Sequence, residues 1–312
     1  MLSPGRILSR LAQLVPTLFL ITIVAFVLVR LLPGDPTAAF LGERANDADI
    51  ARINAQLGLD QPIIVQFWLF LVRLAHGDLG ISINLKRPVL TLIAERLPTT
   101  LVLTLYAALI SLALAVPLAF VAALRRDRPA DLMIRGVFQV GLSTPVFYLG
   151  LLLLTVFAAN LRWFPVGGYG VTWAERLYSL FLPALTLALS LAAILMRNLR
   201  AAVIEVLDAE YVEFARAKGL APRIVLFRHV LRNALISTVT LFGLNIGVLL
   251  SGAVITESVF AIPGLGRLMI ESIYGRDYPV VQGLTLVLAV LVSVVFLLTD
   301  LAQAALDPRA AR

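Results

Sequence analysis

TTLVLTLYAALISLALAVPLAFVAAL, residues 99–124, contains no Asp, Glu, Lys or Arg in 26 residues. A helix rises about 1.5 Å per residue and the hydrocarbon of a bilayer is about 30 Å thick, so about 20 apolar residues are enough to cross it. The stretch is apolar on every side, where a surface helix of a soluble domain would keep a polar face. Its reading decides the class: this chain lives in a membrane.

Working outward, further runs free of those four residue types lie at 11–29, 136–159, 180–196, 235–256 and 282–299. The run at 180–196 is the shortest. Composition agrees, with 60% hydrophobic and 14% charged residues against about 25% charged in ordinary soluble domains. The expectation is an all-α polytopic membrane protein with six transmembrane helices. Arg6 and Arg10 precede the first run as in a secretory signal. Its apolar part is longer than the roughly 7–15 residues of a signal core and has no small-x-small cleavage site, so it reads as a retained anchor. Cysteine is absent, which leaves disulfides and thiolate metal sites out of the argument.

Basic residues set the orientation. With both termini cytoplasmic, the inside segments 1–10, 125–135, 197–233 and 300–312 hold 15 basic and 8 acidic residues, and the outside segments hold 11 of each. The formal charge of +7 therefore falls on one side, which argues for the positive-inside rule and against nucleic acid as the partner of a basic chain. Three regions follow: an N-terminal segment with the first span (1–31), an extracytoplasmic subdomain (32–98), and a five-helix core (99–312) with a cytoplasmic loop at 197–233. The subdomain holds a "PGDP" turn at Pro33–Pro36, a polar helical patch "NDADIARINAQLGL", an interfacial run "IIVQFWLFLVRL", and "HGDLGISI".

Few residues inside the spans depart from plain Leu and Val. Pro117, Pro145 and Pro183 each remove a backbone donor, and Ser143, Thr144 and Pro145 combine a kink with two hydroxyls. Gly243, Gly247 and Ser251 recur every four residues, with Asn245 among them. Such a stripe of small residues lets another helix come close. Either it packs the chain's own bundle or it faces a second subunit or a pathway. Outside, Glu257 leads into a turn forced by Pro263, Gly264 and Gly266, a candidate gate or docking element.

No span contains an ionisable residue of the kind that binds a coupling ion at the membrane midplane. No G-x-x-x-x-G-K-[ST] occurs, and neither Lys86 nor Lys218 has that setting. His76 and His229 lie outside the spans without H-E-x-x-H, and "GLSTP" is not G-x-S-x-G. Hence no catalytic residue, metal or cofactor is assigned to the chain, and it carries no engine of its own. Force must reach it through the 197–233 loop. From Val203 to Lys218 there is no Gly or Pro; Leu207, Tyr211, Phe214 and Ala215 share one helical face, with Glu210, Glu213 and Ala217 elsewhere. Gly219 supplies a C-cap break, with Leu220 and then Pro222 after it. A second short helix carrying Ile224, Phe227 and Leu231 on one stripe completes a knob. By pattern alone this is a partner's handle or a hairpin lying on anionic headgroups.

"EFARAKG", Glu213–Gly219, resembles the E-A-A-x-x-x-G motif of ATP-binding-cassette (ABC) importer permeases. "RLLPGDP", "LGLDQPIIVQFW", "HGDLGIS", "ERLPTTL", "ESVFAIPGLGRL", "RDYPVVQG" and the closing "DPR" extend the likeness over nearly the whole chain. Together they resemble the B-type transmembrane subunit of the dipeptide, oligopeptide and nickel family. Two positions depart from that pattern. Phe214 stands at the motif's first alanine, and Ser237 replaces a proline after "RNAL", which implies a less sharply bent approach to the fifth span. The resemblance implies that Glu210, Tyr211, Glu213, Phe214, Ala215, Ala217, Gly219 and Leu220 dock on an ATPase. It further implies a second homologous permease, two cytoplasmic ATP-binding subunits that use ATP and Mg, and an extracytoplasmic solute-binding protein. Peptides, glutathione, nickel chelates and some sugars are the solutes of such relatives. The competing classes are an ATP-independent channel or facilitator, which would pass solute alone, and a membrane scaffold, which would pass none.

Overall fold

The computed structural model describes residues 4–31 and 60–306. The "PGDP" turn, the polar patch at 46–59 and the final "DPR" lie outside them. The elements in chain order are α1 (Pro4–Leu31), α2 (Ile63–Ala75), α3 (Val89–Leu124), α4 (Pro129–Ser143), α5 (Val146–Leu153) and α6 (Trp173–Leu207). They continue with α7 (Glu210–Ala217), α8 (Pro222–Ile224), α9 (Arg232–Val259), α10 (Leu265–Tyr274) and α11 (Tyr278–Leu306). π-helical segments extend α5 over Leu154–Asn160 and join α8 to α9 over Val225–Leu231. Among the described residues the β structure is one isolated bridge, Ile81 with Pro88.

The centre is α3 packed on α6, the most extensive pairing in the fold. Leu103, Ala107, Ser111, Ala115, Ala119 and Ala123 recur every four residues along α3 and are all buried. Facing them, α6 buries Ala184, Ala188, Leu191, Ala192, Leu195 and Leu199. Lipid tails are as apolar as leucine, so burying oil gains little between spans; short side chains allow backbone approach and dispersion contact instead. On the other flank α1 lies against α11 and α2 against α1, with Phe26 and Phe67 edge to face at 5.0 Å and Phe26, Phe70 and Leu286 in one buried cluster.

Four helical stretches are long and apolar enough to cross a membrane: Val89–Leu124, Trp173–Leu207, Thr238–Val259 and Tyr278–Gln303. The pair α4 and α5 makes a fifth if counted as one span, and α1 is apolar over Ala12–Val27. Several sequence expectations change. The helix that holds the 99–124 run starts at Val89 and continues through Pro98. The shortest run, 180–196, is the middle of a 35-residue helix. Charged residues at both its ends hid its length, and Thr172 starts it with a capping box, accepting from Glu175 N while the Glu175 carboxylate accepts from Thr172 N. The run 136–159 is not one rod; α4 and α5 meet at 108°. The second helix of the knob is not separate, because the chain is helical from Pro222 through Ser237 to Val259.

Candidate functional site

α9 has 28 residues and spans about 42 Å, so it separates two working ends. One carries α7 and the other α10.

α7 begins two residues after α6 ends. Val212 and Ala215 face inward onto the core that also holds Val203, Val225 and Val230. Its end is a Schellman turn: Gly219 N donates to Arg216 O at 2.9 Å and Leu220 N to Ala215 O at 3.3 Å, with Gly219 at φ +74°. Only glycine takes that backbone without strain. Of the eight residues drawn from the motif, Ala215 is buried and Glu210, Tyr211, Glu213, Phe214, Ala217, Gly219 and Leu220 are exposed. The expected shared face of Leu207, Tyr211, Phe214 and Ala215 is therefore divided. The register turns Val212 and Ala215 inward and leaves Phe214 67% exposed. Tyr211, Phe214, Leu220, Ile224 and Phe227 are all large, apolar and exposed at this end. Ile224 and Phe227, expected in the second helix of the knob, lie beside α7 in the continuous helix.

The α4–α5 elbow is built by Thr144 and Pro145. Pro145 has no N–H and disfavours helical geometry in the residue before it, and Thr144 is extended at φ −89°, ψ 128°. Thr144 Oγ1 donates to Val140 O at 2.7 Å and its backbone N donates to the same oxygen at 3.1 Å. Ser143 and Pro145 are exposed.

The small-residue stripe divides as well. A Cβ on Gly243 would lie 2.1 Å from Thr299 Cγ2, and one on Gly247 would lie 3.1 Å from Phe296. Both glycines are filled by the chain's own α11. Asn245 Nδ2 donates to Leu241 O at 2.7 Å. Ser251 is exposed, in line with Leu244, Val248 and Ile255.

At the opposite end, Glu257 is fully buried. Its carboxylate accepts from Thr100 Oγ1 at 2.6 Å, Gly266 N at 2.8 Å and Arg267 N at 3.2 Å. The charge sits on the N-terminus of α10, where free amides and the helix dipole favour an anion. Gly264 and Gly266 are buried as well: a Cβ on Gly264 would strike the Glu257 carboxylate at 2.2 Å, and one on Gly266 the Val254 backbone at 2.2 Å. Expected as a presented gate or docking surface, Glu257, Gly264 and Gly266 are internal, and with Pro263 they fasten the turn to α3. Sequence reading passed over a second anchor. Asp277, buried between α10 and α11, accepts from Ser82 Oγ at 2.5 Å, Ile83 N at 3.0 Å and Asn84 N at 3.2 Å, holding the 76–88 loop to the last helix. The aspartate of "RDYPVVQG" was its only visible trace.

Residues 115–312 match the family described as binding-protein-dependent transport system inner membrane component, and residues 5–104 match the N-terminal membrane-component family of the same systems. A protein of Brucella suis biovar 1 named for a peptide transport system permease is 41% identical over 307 residues, covering 97% of this chain and 98% of its own. The glutathione transport system permease protein of Escherichia coli K12 is 38% identical over 302 residues, covering 97% of each chain. In fold, a solved inward-facing MetNI methionine ABC transporter superposes with TM-score 0.60 at 16% identity, over 70% of this chain and 97% of that one. An amino acid ABC transporter solved with histidines gives 0.54 at 20%, over 69% and 94%. A hydrophobic bundle that meets these relatives along nearly its whole length belongs to the family of binding-protein-dependent transport system inner membrane components.

Proposed function

We propose that this chain is one permease half of an ABC importer for peptides or a related small solute, driven by separate ATPase subunits that seat on α7. One observation carries the reading. A short helix ends in a glycine turn, buries only Val212 and Ala215, and shows Tyr211 and Phe214 to the outside at the foot of the most buried span. Exposed apolar side chains grouped with Glu210 and Glu213 are a surface that a protein partner covers.

In this reading the chain crosses the membrane six times with both termini in the cytoplasm. ATP and Mg are bound by the two partner ATPases. Their closure moves α7 and, through α6, tilts the bundle between two states. A second, homologous permease supplies the other half of the pathway, which runs beside Ser251 on α9 and the Ser143–Pro145 elbow. A solute-binding protein docks at the end that carries α10. Uptake runs inward because that binding protein delivers solute from outside.

The test uses the assembled transporter. Glu213→Lys and Gly219→Val are expected to abolish co-purification of the ATPase and ATP-driven uptake of glutathione or dialanine into proteoliposomes. Gly219→Val acts through backbone alone, since no atom lies within 4 Å of its added Cβ. Undiminished co-purification and uptake in both variants would refute the docking role of α7. Solute flux through the isolated chain without ATP would support a facilitator instead.

A further inference from the structure

Asp131 opens α4 and is fully buried, at the end of the bundle that carries α7. Arg200 on α6 reaches both its oxygens, Nε to Oδ1 at 2.7 Å and Nη2 to Oδ2 at 2.5 Å. Asp127 N donates to Oδ2 at 3.0 Å from a turn held at φ +60°, and Arg135 Nη1 stands 3.8 Å away. Asp131 and Phe138 are the only buried residues of α4. Met133, Val137 and Val140 on its other side are all more than 60% exposed. An open cleft of about 400 Å³, lined by Arg126, Arg135, Arg200, Ile204 and Glu205, adjoins the pair, so among the described residues no further element packs over α4 there.

A buried ion pair adds little net stability over an apolar pair of the same volume, because desolvation offsets the attraction. It does fix geometry: a two-pronged guanidinium–carboxylate contact sets both register and angle, which leucines in the same place would leave free to slide. The second tie at this end, Arg126 to Asp208 at 3.6 Å, is exposed and weak. Arg200 lies seven residues before the end of α6, about 10 Å along its axis, and α7 follows after two residues. α4 is thus an arm held by one ionic pin and by Ile134, Phe138 and Leu142 against the core, and it ends at the Thr144–Pro145 elbow.

We infer that Asp131 and Arg200 are a positioning pair that makes α4 follow α6, so that displacement of α7 changes the angle of the Thr144–Pro145 elbow. The inference rests on the reading of α7 as the ATPase contact. It assigns the pair no contact with solute or nucleotide.

The chain has no cysteine, so spin labels placed at Met133 and Trp163, on either side of the elbow, report its angle in the assembled transporter. ATP with vanadate is expected to shift the label distance from its nucleotide-free value. Arg200→Lys and the paired apolar replacement Asp131→Leu with Arg200→Leu are expected to keep the ATPase bound and hydrolysing ATP while losing most of that shift. A full shift in both variants overturns the inference. So does a wild-type elbow that ignores nucleotide, or loss of ATPase binding in both variants, which would make the pair a folding element only. Glu213→Lys and Gly219→Val separate the two readings: if both retain undiminished ATPase binding and uptake the α7 assignment fails, whatever the Arg200 variants do.

Discussion

A carboxylate removed from water must be met by donors, and Glu257 is met by three. Thr100 serves both sides of the joint, since its hydroxyl donates to Glu257 and accepts from Leu265 N at 2.8 Å. Glu257→Ala leaves two amides and a hydroxyl without their partner, and each buried polar group so orphaned costs about 1–3 kcal/mol. The expected loss is about 3 kcal/mol or more, read as a lower unfolding midpoint of the purified protein in detergent. Glu257→Gln keeps the shape and one acceptor and is expected to lose less. An alanine variant as stable as the parent would show that Glu257 does not hold the turn. The sequence shows a glutamate near a Pro-Gly turn, and that is all. The joint depends on residues 100, 257 and 266 meeting, a register between distant segments that no local pattern encodes. Gly243 and Gly247 show the same limit, being visible as small residues while α11, which fills them, is not.

Among the elements, spans were legible where an uncharged run coincided with a helix, and misread where charge or proline was taken as an end. Helix α3 passes through Pro98 and Pro117 and α6 through Pro183, whereas the chain breaks at Pro145. The difference lies in the residue before it: Leu97, Val116 and Leu182 stay helical, while Thr144 goes extended, with both its amide and its hydroxyl donating to Val140 O. Hydropathy alone does not distinguish these prolines. Which face of α7 turns inward is not legible in the sequence for another reason. In eight residues a helix makes about two turns, too few for periodicity to choose between adjacent faces. The 76–88 loop is tied to the rest of the fold by Asp277, which accepts from three of its groups. Replacing Asp277 by Ala removes the acceptor of the Ile83 and Asn84 amides. Losing a bond to a charged group is worth about 1.5–3 kcal/mol, so exchange at those amides should quicken roughly tenfold to hundredfold. Hydrogen-exchange mass spectrometry of a peptide covering them checks this, with the buried Leu195 region of α6 as the unchanged reference. Equal protection in both proteins would mean that the loop holds itself.

For the whole molecule, the asymmetry of charge is the largest-scale statement the sequence makes, and it assigns a side to each end of the bundle. The basic excess lies on the segments that include α7, and the segments near α10 balance. Transferring excess lysine and arginine across a bilayer is disfavoured, so the expected side of the α7 end is the cytoplasm. A nucleotide-driven partner can reach α7 only on that side, because ATP is there. The natural absence of cysteine makes the assignment directly measurable. Single cysteines at Val171 and Tyr274, 84% and 86% exposed near the α10 end, are expected to react with a membrane-impermeant maleimide in intact spheroplasts. Cysteines at Phe214 and Arg126, at the α7 end, are expected to react only after the membrane is opened. The reverse pattern would put α7 out of reach of any nucleotide-hydrolysing partner. Reaction of all four from outside would mean that the helices do not separate two compartments. The assay needs neither solute nor partner, so it tests the orientation independently of what the transporter carries.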